Sequence, residues 1–561
     1  MSRQRTGPTP KRAALFVVIL LDALVAFFIL QQISAYRDYP FDSDEARHAT
    51  SALELALDLR AGDFGAFFAH SYQHTWYPPA FYWLEAFALS IFGPSALVAR
   101  VVGLVCLFAA ALVIYAIGLE LDEKWGWLAG LVAAALTLAS QPILVHSALV
   151  MLEIPGLLVS ALTLWGYLRA VRHPAAWRFA LVSILMALTM LTKYPYGIVV
   201  VASIAAVEVP AALLSLVREG VVARPWGSMA RRWLWLFGPF LLVMLIWFAG
   251  PYKIAGLVDY AGAAAQEELL SEENLIFYPR SMVYHYAPSP VFAPLMLAGL
   301  IWAAARWRDR RVRLLLIYFL IGLLVMTVKL LNQPRYFVTI APASHLLTGA
   351  MLAWLVAQWS EIRPRVRIVA AASVLALVVG SVPMLIERFA VFPALMRVEY
   401  ETDPRANDLA AWITAQVPSG ERFYLVNPWD QFGAAMMTWY LATQNTPPVA
   451  RFADAVVPSA NLGGSAWKRG DTLLANIRAA GTRYVVALEG GANIEPLWPE
   501  YEFALSDRLL PVTRGEFVMD FYDMTRWLKR HVVTRDELER AESARYHQLN
   551  VRASVYRLVE P

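Results

Sequence analysis

Lys11-Arg12-Ala13-Ala14-Leu15-Phe16-Val17-Val18-Ile19-Leu20-Leu21-Asp22-Ala23-Leu24-Val25-Ala26-Phe27-Phe28-Ile29-Leu30-Gln31 is a basic pair leading an apolar run interrupted only by Asp22. A bilayer core takes about 20 apolar residues as a helix. Ten further runs follow at Ala96–Gly118, Trp125–Gln141, Leu152–Leu168, Phe179–Thr192, Tyr196–Val217, Trp233–Gly250, Val291–Ala305, Leu314–Val328, Tyr336–Val356 and Ile368–Ile386. A shorter run, Ala80–Phe92, reads as a juxtamembrane helix. The chain is therefore expected to be a polytopic α-helical membrane protein with about eleven crossings. Composition agrees: 58% of the 561 residues are hydrophobic and 16% charged, against about 45–50% and 25% in a soluble domain. A net charge of +4 is too small to point to nucleic acid. One cysteine, Cys106, excludes an intramolecular disulfide framework.

Lys11 and Arg12 put the N-terminus inside by the positive-inside rule. Alternate loops then carry Arg169, Arg172 and Arg178; Arg218, Arg224, Arg231 and Arg232; Arg306, Arg308, Arg310, Arg311 and Arg313; and Arg363, Arg365 and Arg367. Eleven crossings place everything after Ile386 outside. Residues 1–35 are read as an uncleaved first helix, because the apolar run is long for a signal peptide. The expected organisation is a membrane module over 1–386, with a first outer loop at 32–95, and a soluble α/β domain over 387–561. In that domain Asp403-Pro404 and Asp471 read as helix starts, with Ala406, Leu409, Ala410, Ile413 and Val417 at helical spacing. Phe423–Val426, Tyr484–Leu488 and Val555–Leu558 read as strands. Nothing repeats with a period of 20–50 residues, and there is no two-half symmetry of the transporter kind.

Chemistry concentrates at the outer ends. The first outer loop opens Tyr36-Arg37-Asp38-Tyr39-Pro40-Phe41-Asp42-Ser43-Asp44-Glu45-Ala46-Arg47, and Ala46–Leu59 continues as an amphipathic helix. Asp44 and Glu45 suit a helix N-terminus for ordinary dipole reasons; they also suit a general base held at the lipid–water boundary. Further on come His74-Thr75-Trp76-Tyr77-Pro78-Pro79-Ala80-Phe81-Tyr82-Trp83, then Lys193 in Thr192-Lys193-Tyr194-Pro195, and Lys329 and Arg335 in Lys329-Leu330-Leu331-Asn332-Gln333-Pro334-Arg335-Tyr336. The aromatics read equally as an interfacial belt, and the lysines as snorkelling side chains. Glu153 stands at the outer end of the fourth run, where an acid needs a partner. The Asp42-x-Asp44 spacing is too common to be a metal motif, so a divalent ion is left open.

Taken in order, four islands resemble the GT-C membrane glycosyltransferases, in particular the protein O-mannosyltransferase and aminoarabinose transferase group. They are Asp44-Glu45-Ala46-Arg47, Tyr77-Pro78-Pro79-Ala80-Phe81-Tyr82-Trp83, Thr192-Lys193, and Tyr336 with Pro342. Two positions depart from the pattern: Tyr77 stands where close relatives often have a cation, and Glu153 where Asp is usual. The resemblance implies a multi-pass enzyme of the cell envelope membrane. It would move a sugar from a polyprenyl phosphate carrier, on the outer face, to a glycolipid, protein or polysaccharide acceptor. Asp44 matches the family's catalytic acid, and Glu45 and Glu153 are the further catalytic candidates. Lys193, Lys329, Arg335 and Tyr336, with His74, Tyr77, Arg47 and Tyr82, are the residues expected at the donor phosphate and lipid. A transporter or lipid flippase is the alternative, but such proteins place their key charges near the midplane of paired repeats, whereas these lie at the outer ends.

Overall fold

The computed structural model describes residues 10–37, 39–41, 43–74, 77–219, 226–250, 253–254, 257–258, 271–328, 332–359, 361, 363–399, 405–418, 421, 423–426, 434–444, 456–458, 481–489, 508–522 and 546–559. Asp42, Lys329, Asp403, Pro404 and the expected helix at Asp471 lie outside them. The chain forms two compact units, one of 1–31, 68–81 and 101–392, the other of 32–67, 82–100 and 393–561. This division differs from a single cut near 386, because most of residues 32–95 cluster with the C-terminal residues.

Helices occupy all eleven apolar runs. They are α1 (Pro10–Ala35), α5 (Ala96–Leu121), α6 (Gly126–Leu138), α8 (Glu153–Arg172), α9 (Ala176–Thr192), α10 (Tyr194–Glu219), α11 (Trp226–Phe248), α13 (Ala293–Ala305), α14 (Arg310–Val328), α15 (Ala341–Ala357) and α16 (Pro364–Glu399). Between them lie α2 (Ser43–Ala61), α3 (Phe64–Gln73), α4 (Ala80–Phe92), α7 (Gln141–Ser147) and α12 (Glu272–Ser281). Among the described residues six helices are long and apolar enough to cross a membrane, or up to eight if each of two bent pairs is one span. Segments of α9, α10 and α15 are apolar but shorter. One bend, of 67°, separates α6 from α7; Ser140 is extended there and Pro142 sits in the first turn of α7, where its missing N–H costs nothing.

In the first unit α9 packs on α8, α10 and α11, and α15 packs on α6, α13 and α14. Small residues set the approach. A Cβ on Gly118 of α5 would lie 2.2 Å from the Gly130 Cα of α6, and one on Gly349 of α15 2.4 Å from the Ala129 carbonyl oxygen. Backbone contact of this kind is how helices associate where lipid removes the hydrophobic drive. A charged lock joins four helices. The Glu208 Oε1 of α10 accepts from Tyr167 Oη of α8 (2.5 Å), Arg310 of α14 (2.5 Å) and Arg232 of α11. Asp22 is buried, as an acid in that helix must be, and neither of its oxygens has a hydrogen-bond partner among the described residues.

The second unit holds α2, α4 and a five-stranded sheet of order β2-β1-β3-β5-β4. The strands are β1 (Phe423–Val426), β2 (Val456–Pro458), β3 (Tyr484–Glu489), β4 (Leu509–Tyr522) and β5 (Tyr546–Leu558). β1 runs parallel to β2 and β3, while β5 is antiparallel to β3 and β4. α17 (Ala406–Gln416) buries Ala406, Leu409, Ala410 and Ile413, as its spacing predicts. α18 (Ala434–Gln444) packs against both α17 and α2.

If the α5–α6 backbone contact holds the first unit together, Gly118→Val must separate two helices. It should destabilise by about 1–3 kcal/mol or more, read as a lower thermal midpoint in detergent, whereas Val105→Ala on the exposed face of α5 should change little.

Candidate functional site

Two polar clusters stand out, one in each unit. In the second unit α2 opens with Asp44 and Glu45 in its first turn, where the exposed N–H groups favour negative charge. The Glu45 carboxylate is gripped by Arg100 of α5 on both oxygens, Nε to Oε1 and Nη2 to Oε2, each at 3.2 Å. Arg100 gives a third bond, Nη1 to the Tyr36 carbonyl at 2.9 Å, and its guanidinium lies 5.0 Å from the Phe41 ring centroid. It is 0% exposed. One side chain thus ties both ends of the segment 36–45 and its middle. A planar fork suits this task as an ammonium would not. Glu45 is consumed by the clamp, while Asp44 beside it is half-buried at the start of α2.

Across from it on α4, Glu85 is fully buried and neither oxygen has a hydrogen-bond partner among the described residues. Burial first, and the negative charge of Glu45 second, push its pKa well above the ordinary carboxylate range. One cation and one anion then balance. On the next turn of α2, His48 Nδ1 lies 3.0 Å from the Tyr82 hydroxyl of α4, so Tyr82 fastens α4 to α2. Arg47 is exposed.

In the first unit the cluster sits at the helix ends. Lys193 separates α9 from α10 as one extended residue, φ −159°, ψ 124°. Its carbonyl accepts from the N–H groups of Tyr196 and Gly197, so it caps α10 while its side chain turns inward. The ammonium bonds Glu153 Oε1 at 2.7 Å, with Lys193 4% and Glu153 1% exposed. It also lies over two rings, Tyr336 at 4.6 Å and Tyr196 at 5.3 Å. Gly156, one turn into α8, admits Tyr196, because a Cβ there would lie 2.5 Å from its ring. Arg335 stacks on Tyr336 at 5.3 Å from Cζ to the ring centroid and reaches its hydroxyl at 3.4 Å. Two cations therefore meet one carboxylate, and Glu153 Oε2 has no donor among the described residues.

The segment before the Pro-Pro pair is tied to the end of α11. Tyr72 Oη donates to the Ile246 carbonyl at 2.7 Å, and Trp247 Nε1 to the Tyr194 hydroxyl at 3.0 Å. Lys253 donates to the His74 carbonyl and lies 3.7 Å from the Trp247 ring centroid and 4.9 Å from that of Tyr72. Burial lowers its pKa to about 8. Burial, then Lys253, then His70 hold His74 down at about 4; His74 is therefore neutral at pH 7 and brings no charge to a phosphate. Tyr77 is half-buried. The sequence singles out Asp44, Glu45, Glu153, Lys193 and Arg335 by their placement at helix ends, and Asp44, Lys193 and Tyr336 also by the family resemblance. It gave Arg100, Glu85, His48 and Lys253 no role, since single polar residues in apolar stretches carry no periodic signal. Among the described residues no three His, Cys, Asp or Glu side chains gather as a metal ligand set.

Comparison with known proteins follows the same lines. Residues 77–248 match the family described as dolichyl-phosphate-mannose-protein mannosyltransferase. ArnT from Cupriavidus metallidurans bound to undecaprenyl phosphate has a similar fold, with a TM-score of 0.53 at 18% identity over 88% of this chain and 96% of that one. Its apo form gives 0.52 at 17% identity, over 96% and 98%. The apo oligosaccharyltransferase of Archaeoglobus fulgidus gives 0.55 at 14% identity, over 84% and 69%. No curated protein matches in sequence. The resemblance to the GT-C glycosyltransferases thus holds in sequence over 77–248 and in fold over most of the chain.

Two outcomes follow from the clusters. Arg100→Leu leaves the Glu45 carboxylate buried without its partner and should destabilise by about 3–5 kcal/mol, while Arg100→Leu with Glu45→Leu should recover most of the loss in a thermal-melt series. His74, with a folded pKa below its ordinary 6.5, contributes stability that is present above pH 6.5 and lost as pH falls towards about 4. Melting points of the wild type should drop across that window, and His74→Gln should remove part of the drop.

Proposed function

From the 77–248 match and the shared fold, we propose that the chain is an integral-membrane glycosyltransferase. It transfers a sugar from a polyprenyl phosphate carrier to an acceptor hydroxyl or phosphate on the outer face of the plasma membrane. The acceptor is a glycolipid, a protein or a polysaccharide. What carries the reading is the pair of cations Lys193 and Arg335 gathered with Tyr336 at the ends of helices with this fold. A sugar phosphodiester leaves as a lipid phosphate, which needs cations and hydroxyl donors rather than a strong acid. Arg335 offers a fork and Lys193 a point charge, and Tyr336 adds a hydroxyl.

In this reading Asp44 is the general base. It takes the acceptor proton as the acceptor oxygen attacks the anomeric carbon and the bond to the carrier phosphate breaks, which inverts the anomeric centre. Glu45 does not compete for that proton, because Arg100 occupies both of its oxygens. Glu153 keeps Lys193 in place, and its second oxygen is available to a sugar hydroxyl. Lys329, outside the described residues, and Tyr77, Arg47 and Tyr82 are secondary contacts to the donor. No step here requires a divalent ion, and none excludes one.

The test is transfer in reconstituted membranes, with the envelope lipids and proteins of cells lacking the gene as acceptors and mass spectrometry as readout. Asp44→Asn keeps volume and removes basicity, so it should slow transfer by about 10²–10⁴-fold with donor binding intact. Lys193→Met with Glu153→Gln, which removes the pair without stranding a charge, should weaken donor binding by about ten- to a hundredfold. Near wild-type transfer by Asp44→Asn would move the base elsewhere. Unchanged donor binding by the double variant would remove the phosphate from this cluster.

A further inference from the structure

The segment 36–45 is held from the C-terminal part of the chain as well as by Arg100. The Phe41 ring has two partners. The Arg100 guanidinium lies 5.0 Å from its centroid, and the indole of Trp439 meets it in an edge-to-face contact, with centroids 4.8 Å apart and planes at 69°. Edge-to-face contact of this kind adds direction to simple burial. Trp439 is on α18, which packs along α2, and both rings are buried. A second hold comes from Pro393, whose carbonyl accepts from Tyr36 Oη at 3.3 Å. Tyr36 is the residue whose own carbonyl takes the third bond of Arg100.

Resting on the reading of Asp44 as the base, we propose that Trp439 is a positioning residue for the transfer reaction. Phe41 is three residues before Asp44, and an extended chain moves about 3.3–3.6 Å per residue. A small slide of the Phe41 ring therefore displaces the start of α2. In this reading the Trp439 contact fixes the orientation of the Phe41 ring, and through it that of the guanidinium held by Glu45. Without it the clamp keeps its charge pair but loses the flat wall that fixes its orientation. The α/β part of the chain thereby sets the geometry of a carboxylate nearly four hundred residues earlier. A misplacement on the order of 1 Å can cost about a hundredfold in rate.

The experiment measures kcat and donor KM for full-length Trp439→Ala, Trp439→Phe, Phe41→Leu and the double variant Trp439→Ala with Phe41→Leu. Thermal midpoints and donor binding are measured on the same preparations. Trp439→Ala should lower kcat by about 10- to 100-fold at unchanged donor KM. Trp439→Phe, which keeps a ring edge, should restore most of it. The double variant should be no worse than the poorer single, since both remove one contact. If Trp439→Ala does not insert, Trp439→Leu takes its place under the same criteria. A wild-type kcat, or a loss that Trp439→Phe fails to rescue, overturns the proposal, as does a loss accounted for by less folded protein. Asp44→Asn is run alongside: if it is inactive while Trp439→Ala is normal, the positioning role alone fails. If Asp44→Asn transfers normally, the base assignment fails first.

Discussion

A guanidinium removed entirely from water is tolerable only where every face of it is used. Arg100 meets that condition with two bonds to Glu45, one to a backbone carbonyl and an aromatic ring beneath. The fully buried carboxyl groups around it then need to supply one negative charge. Two carboxyl groups are close, Glu45 and Glu85, and burial resolves the count by holding the proton on Glu85. The same logic appears at Lys193, where one carboxylate and two tyrosine rings surround an ammonium. The clusters differ in their balance. Around Arg100 the described residues set one guanidinium against one ionised carboxylate; around Lys193 and Arg335 they set two cations near one carboxylate, a composition suited to an anionic ligand.

Much of the architecture could be read without coordinates. Each apolar run became a helix, and Ala80–Phe92 did so at the residues expected. In the C-terminal part, the spacing of Ala406, Leu409, Ala410 and Ile413 gave the buried face of α17, and Phe423–Val426 is β1 to the residue. Hydropathy finds such elements because burial in lipid or in a core imposes a period on one segment at a time. It was silent on the break between α6 and α7, which depends on the local backbone of Ala139 and Ser140 inside an unbroken apolar run. It also missed β4, whose sequence mixes Pro511, Arg514, Gly515 and Glu516 with exposed Leu510, Val512 and Val518. That strand exists through pairing with β5, not through its own pattern.

The site was legible in the same uneven way. Asp44, Glu45, Lys193 and Glu153 drew attention because charges at helix ends stand out against apolar neighbours, and the family resemblance gave Asp44 its expected role. Their relations were not. Nothing local links Arg100 to Glu45 across 55 positions, or Phe41 to Trp439, and a single chain gives no covariation to join them. For His74 the sequence carries no sign of the burial and the neighbouring Lys253 that lower its pKa to about 4.

The junction at Lys193 has an implication for how the chain tolerates change in length. One extended residue joins α9 to α10, so the helical phase on one side is fixed by the other. Each residue in an α-helix advances the azimuth by about 100°. Inserting or deleting a single residue here would swing Tyr196 off Gly156 and carry Glu208, on the same helix, away from Tyr167. The junction works as an angular gauge: its residue count matters as much as its lysine, and variation in length belongs to the connections elsewhere.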